Sequence, residues 1–158
     1  MNVSSDGTSE IFLEKAYNKA LKSLSYRPRS EKEISDFLAK KKFDSSIISK
    51  AIEKLKEQNL INDEEFVKWW IEQRQTHKPK STFVLKQELI AKGVAKELIE
   101  ELLTTSQNDE ESARLVFEKS KIKFKNYKGE EFLKKTIAFL QRRGFSWEII
   151  KKIIDDEK

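Results

Sequence analysis

Cysteine is absent from the 158 residues, which excludes a disulfide framework, a thiolate nucleophile and a zinc–thiolate site. Glycine occurs four times, each time singly, so there is no Gly-rich loop to cradle a phosphate. The one histidine, His77, stands among Arg74, Gln75, Thr76 and Lys78. None of these supplies the orienting partner and the nucleophile or metal that a histidine base requires, so His77 reads as a solvated loop residue. No run approaches the ~20 apolar residues of a membrane span, and the polar opening, Met1 to Glu10, has no apolar signal core. The nearest thing to a Mg²⁺ ligand set is the pair of acidic runs Asp63–Glu65 and Asp109–Glu111, but both fall at expected helix starts, where the helix dipole accounts for them. The chain is therefore expected to be cytoplasmic and away from membranes, with no enzyme activity, cofactor or metal.

Charged residues make up 37 % of the chain and hydrophobic ones another 37 %. The usual shares are about 25 % and about 45–50 %, so surface is abundant relative to core. A repeat array tolerates this balance, because each unit buries its apolar face only against its neighbours. The sequence carries such a repeat. Leu38 is followed five residues later by Phe43, Leu89 by Val94, and Leu140 by Phe145, and the three leucines are spaced 51 residues apart. Downstream, Ile48, Ile99 and Ile150 keep the same step, as do Ile52, Leu103 and Ile154. Self-similarity at a fixed period marks a repeat architecture. The expected fold is all-α, with three tandem three-helix repeats and about nine helices; no alternating strand pattern or Asn-Gly turn competes.

Residues 1–9 read as a mobile leader, followed by repeats over 10–60, 61–108 and 109–158. The first helix places Phe12, Ala16, Ala20 and Leu24 on one stripe, and Pro28 predicts its end near Tyr26. Ser30 and Glu33 have capping-box spacing. Ile34, Phe37 and Leu38 follow, then Ile47, Ile48, Ala51, Ile52 and Leu55 on a third helix. In the second repeat Asn62 is an expected cap, with Phe66, Trp69, Trp70 and Gln73 on the buried side and Pro79 as a break. In the third, Val116, Phe117 and either Ile122 or Phe124 face inward on the first helix. Ser146 caps a last helix carrying Trp147, Ile150, Ile153 and Ile154. Gly93 and Gly144, also 51 apart, fit the left-handed residue past a helix end; Lys42 occupies that place in the first repeat, which predicts a less sharp stop.

The net charge of +5 is unevenly spread. Residues 112–154 hold twelve Lys or Arg against four acids, a net of +8. Lys121, Lys123, Lys125 and Lys128 surround Phe124 and Tyr127, and Arg142 and Arg143 follow. Such a face attracts nucleic acid through phosphate contacts and counterion release, and aromatic rings among lysines can stack on unpaired bases; Phe124 itself is expected in the core. Further basic points stand at turns between helices: Arg27 and Arg29, then Arg74, Lys78 and Lys80. These eleven basic residues are the candidate contacts for a partner or nucleic acid.

Three stretches carry a family resemblance. They are Ala20-Leu21-Lys22-Ser23-Leu24 followed by Arg27-Pro28-Arg29-Ser30-Glu31-Lys32-Glu33-Ile34; Leu60-Ile61-Asn62-Asp63-Glu64-Glu65-Phe66; and Lys80-Ser81 through Leu85-Lys86-Gln87-Glu88-Leu89-Ile90-Ala91-Lys92-Gly93-Val94. In order and spacing the chain resembles the RecX family, regulators of the RecA recombinase, from about residue 14 to 154. It departs at Lys42 and at the His77-Lys78-Pro79 turn, where the family often has glycine, and at Asn59 and Asn62, which replace a common Gly and Asp. The resemblance implies an elongated, curved array that binds as a monomer in the groove of the RecA–DNA filament. It also implies hindrance of ATP turnover and strand exchange, in recombination and DNA repair, with single-stranded DNA close by and no catalytic residues. The alternative is a direct DNA-binding helical module that uses the basic third repeat.

Overall fold

The structure, a computed structural model, describes residues 3–157, with the backbone alone at 3–6 and 106. Among the described residues there are nine helices and no strand: α1 (Val3–Tyr26), α2 (Glu31–Lys40), α3 (Ser45–Glu57), α4 (Asp63–His77), α5 (Thr82–Ala91), α6 (Lys96–Ser106), α7 (Asp109–Lys123), α8 (Gly129–Arg142) and α9 (Trp147–Asp156). α1 stops at Tyr26, just before the Arg27-Pro28 step. It begins earlier than expected. Val3 to Ser9, expected within a mobile leader, already belong to it, while Met1 and Asn2 lie outside the described residues. The segment has no proline, and the single Gly7 costs only ~1 kcal/mol in a helix, too little to stop one.

The 51-residue register is a register of burial. Leu38, Leu89 and Leu140 are each fully buried, and so are Ile34, Leu85 and Thr136 one turn earlier. In the first repeat α1, α2 and α3 pack on one another around Ala16, Ala20, Ile34, Leu38, Ala51 and Leu55. In the third, α7, α8 and α9 close around Ala113, Val116, Phe139, Leu140, Ile150 and Ile153. Truncating any of these leucines to alanine costs about 2–5 kcal/mol. The described residues fall into two compact bodies. One runs up to Trp69 and includes Ile90–Lys96; the other holds Trp70–Leu89 and everything from Glu97 on. The second three-helix segment is thus divided between them.

Several inward positions differ from the periodic stripe. Phe12, Ile122 and Trp147 are exposed, while Phe124 packs against the third core, as expected. On α4 the buried residues are Phe66, Val67 and Ile71; Trp69 and Trp70 are half-buried. An indole carries an N–H that needs a partner, so an edge position where it meets a carboxylate suits it better than a sealed core. Indeed Trp70 Nε1 donates to Glu88 Oε2 at 2.7 Å. Lys42 also differs from expectation. It takes φ +70°, the conformation of Gly93 (φ +82°) and Gly144 (φ +90°), so the first repeat stops as sharply as the others, with a lysine where the backbone favours glycine.

One joint occurs twice. Ser30 caps α2 in a full capping box with Glu33, and its hydroxyl also donates to Lys92 O at 2.7 Å. The neighbouring Glu31 N–H donates to Asp63 Oδ1 at 2.9 Å. Fifty-one residues on, the Ser81 N–H donates to Arg143 O at 3.0 Å, and both the N–H and the hydroxyl of Thr82 donate to Asp109 Oδ1 at 2.7 Å, an acid 46 residues beyond Asp63. In each joint the start of a repeat's middle helix receives the first carboxylate of the next repeat's opening helix. It also abuts the end of that repeat's middle helix, where Gly93 or Gly144 lets the backbones close. A Cβ on Gly93 would strike the Lys32 stem, and one on Gly144 would strike Val84 and Ser81. Ser30 and Ser81 are accordingly buried. The acidic helix starts therefore do more than complement their own dipoles: Asp63 and Asp109 satisfy N–H groups that α2 and α5 leave without an intrahelical partner.

Candidate nucleic-acid and partner interface

The eleven basic candidates separate into those already engaged within the fold and those left open. Arg27 is engaged: its Nη2 lies 2.6 Å from Glu33 Oε2, and its guanidinium sits 5.5 Å from the Trp69 ring centroid. Burial opposes the charge on Glu33. The Arg27 and Ser30 hydrogen bonds and the charges of Arg27 and Lys92 outweigh it, and hold the carboxyl below its ordinary range. Arg29 donates to Ser23 O at 3.3 Å, and its pKa is lowered by burial and by the charge of Arg27.

Arg74 and Lys80 meet at Glu88. Arg74 Nε is 2.9 Å from Oε2, Lys80 Nζ is 2.7 Å from Oε1, and Arg74 lies 4.9 Å from the Trp70 ring centroid. Glu88 is lowered in the same way, its burial overcome by hydrogen bonds from Lys80, Trp70 and Arg74. Two of the three cations of the turn between α4 and α5 are thus held by one carboxylate, which leaves the turn basic on balance. Lys78 remains, exposed and without an ion pair among the described residues.

In the third repeat the cations divide by face. On the α7–α9 side Glu110 binds both Arg114 and Lys152 at 2.9 Å, and Arg114 also reaches Asp156 at 2.5 Å. Lys121 binds Glu118 and Glu157, at 3.1 and 3.2 Å, and these hydrogen bonds raise its pKa. Lys121 is therefore discharged, although it also lines a cleft with Lys125 and Lys128.

The α8 side is different. Lys123, Lys125, Lys128, Lys134 and Arg142 are exposed there and make no ion pair among the described residues. Several of its cations gather on rings. Lys123 and Arg143 lie 4.6 and 4.7 Å from the Phe139 centroid, with Arg142 at 5.9 Å, and Lys135 lies 4.4 Å from that of Tyr127. Arg143 also donates to Pro79 O at 3.3 Å, and its pKa is lowered by burial and by Arg142. Two shallow clefts of about 410 Å³ flank Phe124. One is lined by Lys121, Lys125, Tyr127, Lys128 and Phe132, the other by Lys134, Lys135 and Arg142 with Glu131 as its one acid.

This face offers unpaired cations beside an exposed tyrosine edge, an arrangement suited to a polyanion backbone. Lys134 and Lys135 belong to it with the candidates. Periodicity alone could not separate them from Lys121, because the partners that discharge Lys121 include Glu157, 36 residues away. Among the described residues no cluster of three or more His, Cys, Asp or Glu is placed to hold a metal, and no helix is long and apolar enough to cross a membrane.

Three family models match the chain in tandem: the RecX first three-helix domain over residues 16–55, the second over 62–103 and the third over 108–154. The regulatory protein RecX of Chlorobium phaeobacteroides is 33 % identical over 143 residues, covering 89 % of this chain and 92 % of that protein. The chain belongs to the RecX family. The regulatory protein RecX of Bacillus pumilus is 36 % identical over 146 residues, and that of a Geobacillus strain 34 % over 148. These cover 91 % and 92 % of this chain but 56 % and 55 % of the relatives, so the chain spans about half their length. Among solved structures, the crystal structure of RecX from Lactobacillus salivarius superposes with a TM-score of 0.76 at 29 % identity, covering 93 % of this chain and 97 % of that one. The α8 cationic face falls within the third RecX domain.

Proposed function

We propose that this RecX-family chain is a regulatory, mainly inhibitory protein that binds in the groove of the RecA–DNA filament and lowers recombinase ATP turnover and strand exchange. The observation that carries the reading is the tandem match to all three RecX domains. The charge pattern supports it: open cations are concentrated on one side of the third repeat, while most of those at the inter-helix turns, Lys78 excepted, are engaged inside the fold. Several weak contacts along tandem units multiply through effective concentration, so a filament is favoured over a free recombinase subunit. The repeats run over 10–60, 61–108 and 109–158, and the protein acts in the cytoplasm as a monomer. Lys123, Lys125, Lys128, Arg142 and Arg143 are its contacts to DNA or to an acidic patch on the recombinase, with Lys78 a lesser one.

ATP turnover by RecA on single-stranded DNA tests the reading. The expected result is a dose-dependent fall; unchanged turnover at saturating protein overturns it. The openness of Lys125 and Lys128 beside Tyr127 favours a second reading, direct DNA binding without the recombinase. α9 is a poor recognition helix in either case: Lys152 is held by Glu110 and Asp156 by Arg114, and of the exposed charged groups left, Glu148, Lys151 and Asp155, two are acids. Capture of RecA in the presence of nuclease separates the two, since only the first requires protein contact.

A further inference from the structure

A second surface, opposite in sign, lies in the first body and has no part in the reading above. A cleft of about 650 Å³ runs there between α2, α3 and the start of α4. Its floor is apolar, Ile48 and Ile52, and its rim carries Glu31, Glu53, Glu57 and Asp63. The two lysines of the lining are already engaged, Lys32 with Asp36 at 2.7 Å and Lys56 with Glu31 at 3.3 Å. Lys54, next to Glu53, lies over the Tyr17 ring at 4.2 Å. Glu53 and Glu57 are exposed and have no ion pair among the described residues.

These two carboxylates sit four residues apart on α3, so they stack on one face, where like charges repel. Unlike Glu64 and Glu65, which share Lys68, and Glu110, which has Arg114 and Lys152, they have no cation of their own among the described residues, and unlike the exposed pair Glu97 and Glu101 they border a cleft. At the cleft's end burial raises the pKa of Asp63, and the charges of Glu31 and Glu33 push it the same way, against the Glu31 N–H bond and Lys56. A cation entering the cleft offsets the like charges of Glu53 and Glu57, and an aliphatic stem covers the isoleucine floor as a lysine or arginine does when it snorkels.

We infer that the α2–α3 cleft is a docking groove for a basic segment of a partner protein, whose Arg or Lys stems lie on Ile48 and Ile52 and whose charged heads reach Glu53 and Glu57. Charge complementarity selects this occupant and repels nucleic acid, so the chain presents an anion-seeking face in its third repeat and a cation-seeking groove in its first. Such a groove can exist whether or not the recombinase is the partner of the third repeat.

The test is titration of the full chain with a fluorescein-labelled helical peptide of about 14 residues, roughly four turns, bearing arginines four residues apart and leucines between them. A peptide with glutamates in place of the arginines is the control. Saturable binding is expected for the arginine peptide alone, with amide shifts centred on Ser35, Ser49 and Gly93. E53Q/E57Q, both on the exposed side of α3, is expected to fold as the parent does and to bind about tenfold more weakly. Equal binding by E53Q/E57Q overturns the inference, as do shifts centred instead on Glu64 and Glu65. Self-association of the chain without peptide, lost in both E53Q/E57Q and K125E/K128E, also overturns it, because the occupant is then a second copy. ATP turnover by RecA is not read in this experiment, so its failure leaves the recombinase reading untouched.

Discussion

At the scale of single residues, three equivalent positions solve one backbone problem with different side chains. Lys42, Gly93 and Gly144 share the left-handed conformation. A Cβ on an L-residue costs roughly 1–2 kcal/mol there, partly offset by the lower unfolded-state entropy of a non-glycine residue. K42G is therefore expected to stabilise the chain by about 0.5–1 kcal/mol, read as a higher urea midpoint at unchanged slope. G144A is expected to destabilise by more than that, because the added methyl meets Val84 and Ser81 as well as an unfavourable φ. Equal and small effects of the two changes would show that neither backbone is strained. The glycine positions were legible in the sequence from their spacing. That Lys42 takes the same conformation was not, since nothing local announces that packing outweighs a modest steric cost.

At the scale of helices, the joints decide how each middle helix starts. Asp63 and Asp109 each serve an N–H on a helix to which they do not belong. D109A removes the acceptor for two Thr82 donors and is expected to cost about 1–2 kcal/mol in thermal or urea unfolding. D63N keeps an acceptor oxygen for Glu31 N–H and is expected to cost less than D63A. It also has a pH signature. Because the folded state raises the pKa of Asp63, the folded chain binds the proton more tightly than the unfolded one. Its contribution therefore favours folding in acid and fades as pH rises through that raised value. The difference in stability between parent and D63N should shrink or reverse across this interval; a constant difference would mean that Asp63 is not perturbed. The end of α1, the Ser30 capping box and the Asn62 and Ser146 caps could be read from local spacing, whereas the start of α1 at Val3 could not. The joints could not, because Glu31 and Asp63 stand 32 residues apart and the carboxylate had a sufficient local explanation. Phe12 and Trp147 fell on the stripe by periodicity, yet a stripe gives a direction and not the reach of the neighbouring helix.

At the scale of the whole chain, the net +8 of residues 112–154 overstates what a partner meets. Arg114, Lys121 and Lys152 are matched by Glu110, Glu118, Asp156 and Glu157, so the working charge is that of the α8 side. Replacing Lys123, Lys125 and Lys128 with glutamine is expected to weaken binding to single-stranded DNA or to the filament. The slope of log affinity against log salt should become shallower by about 0.7 for each phosphate that is no longer neutralised. K121Q should change that slope little and lower stability slightly instead. The reverse pattern would place the interface on the α7–α9 side. The basic composition of this segment was plain in the sequence; which half of it is free became visible only when α9 brought its terminal acids against α7.

The two joints have a directional grammar. The first two repeats offer the start of their middle helix, and the repeat that follows brings both the carboxylate that seals it and the glycine that lets it seat. Plug and socket therefore lie within one repeat. The glycine keeps the 51-residue step and the carboxylate does not, so the seam fixes where the backbones meet more strictly than where the sealing acid comes from.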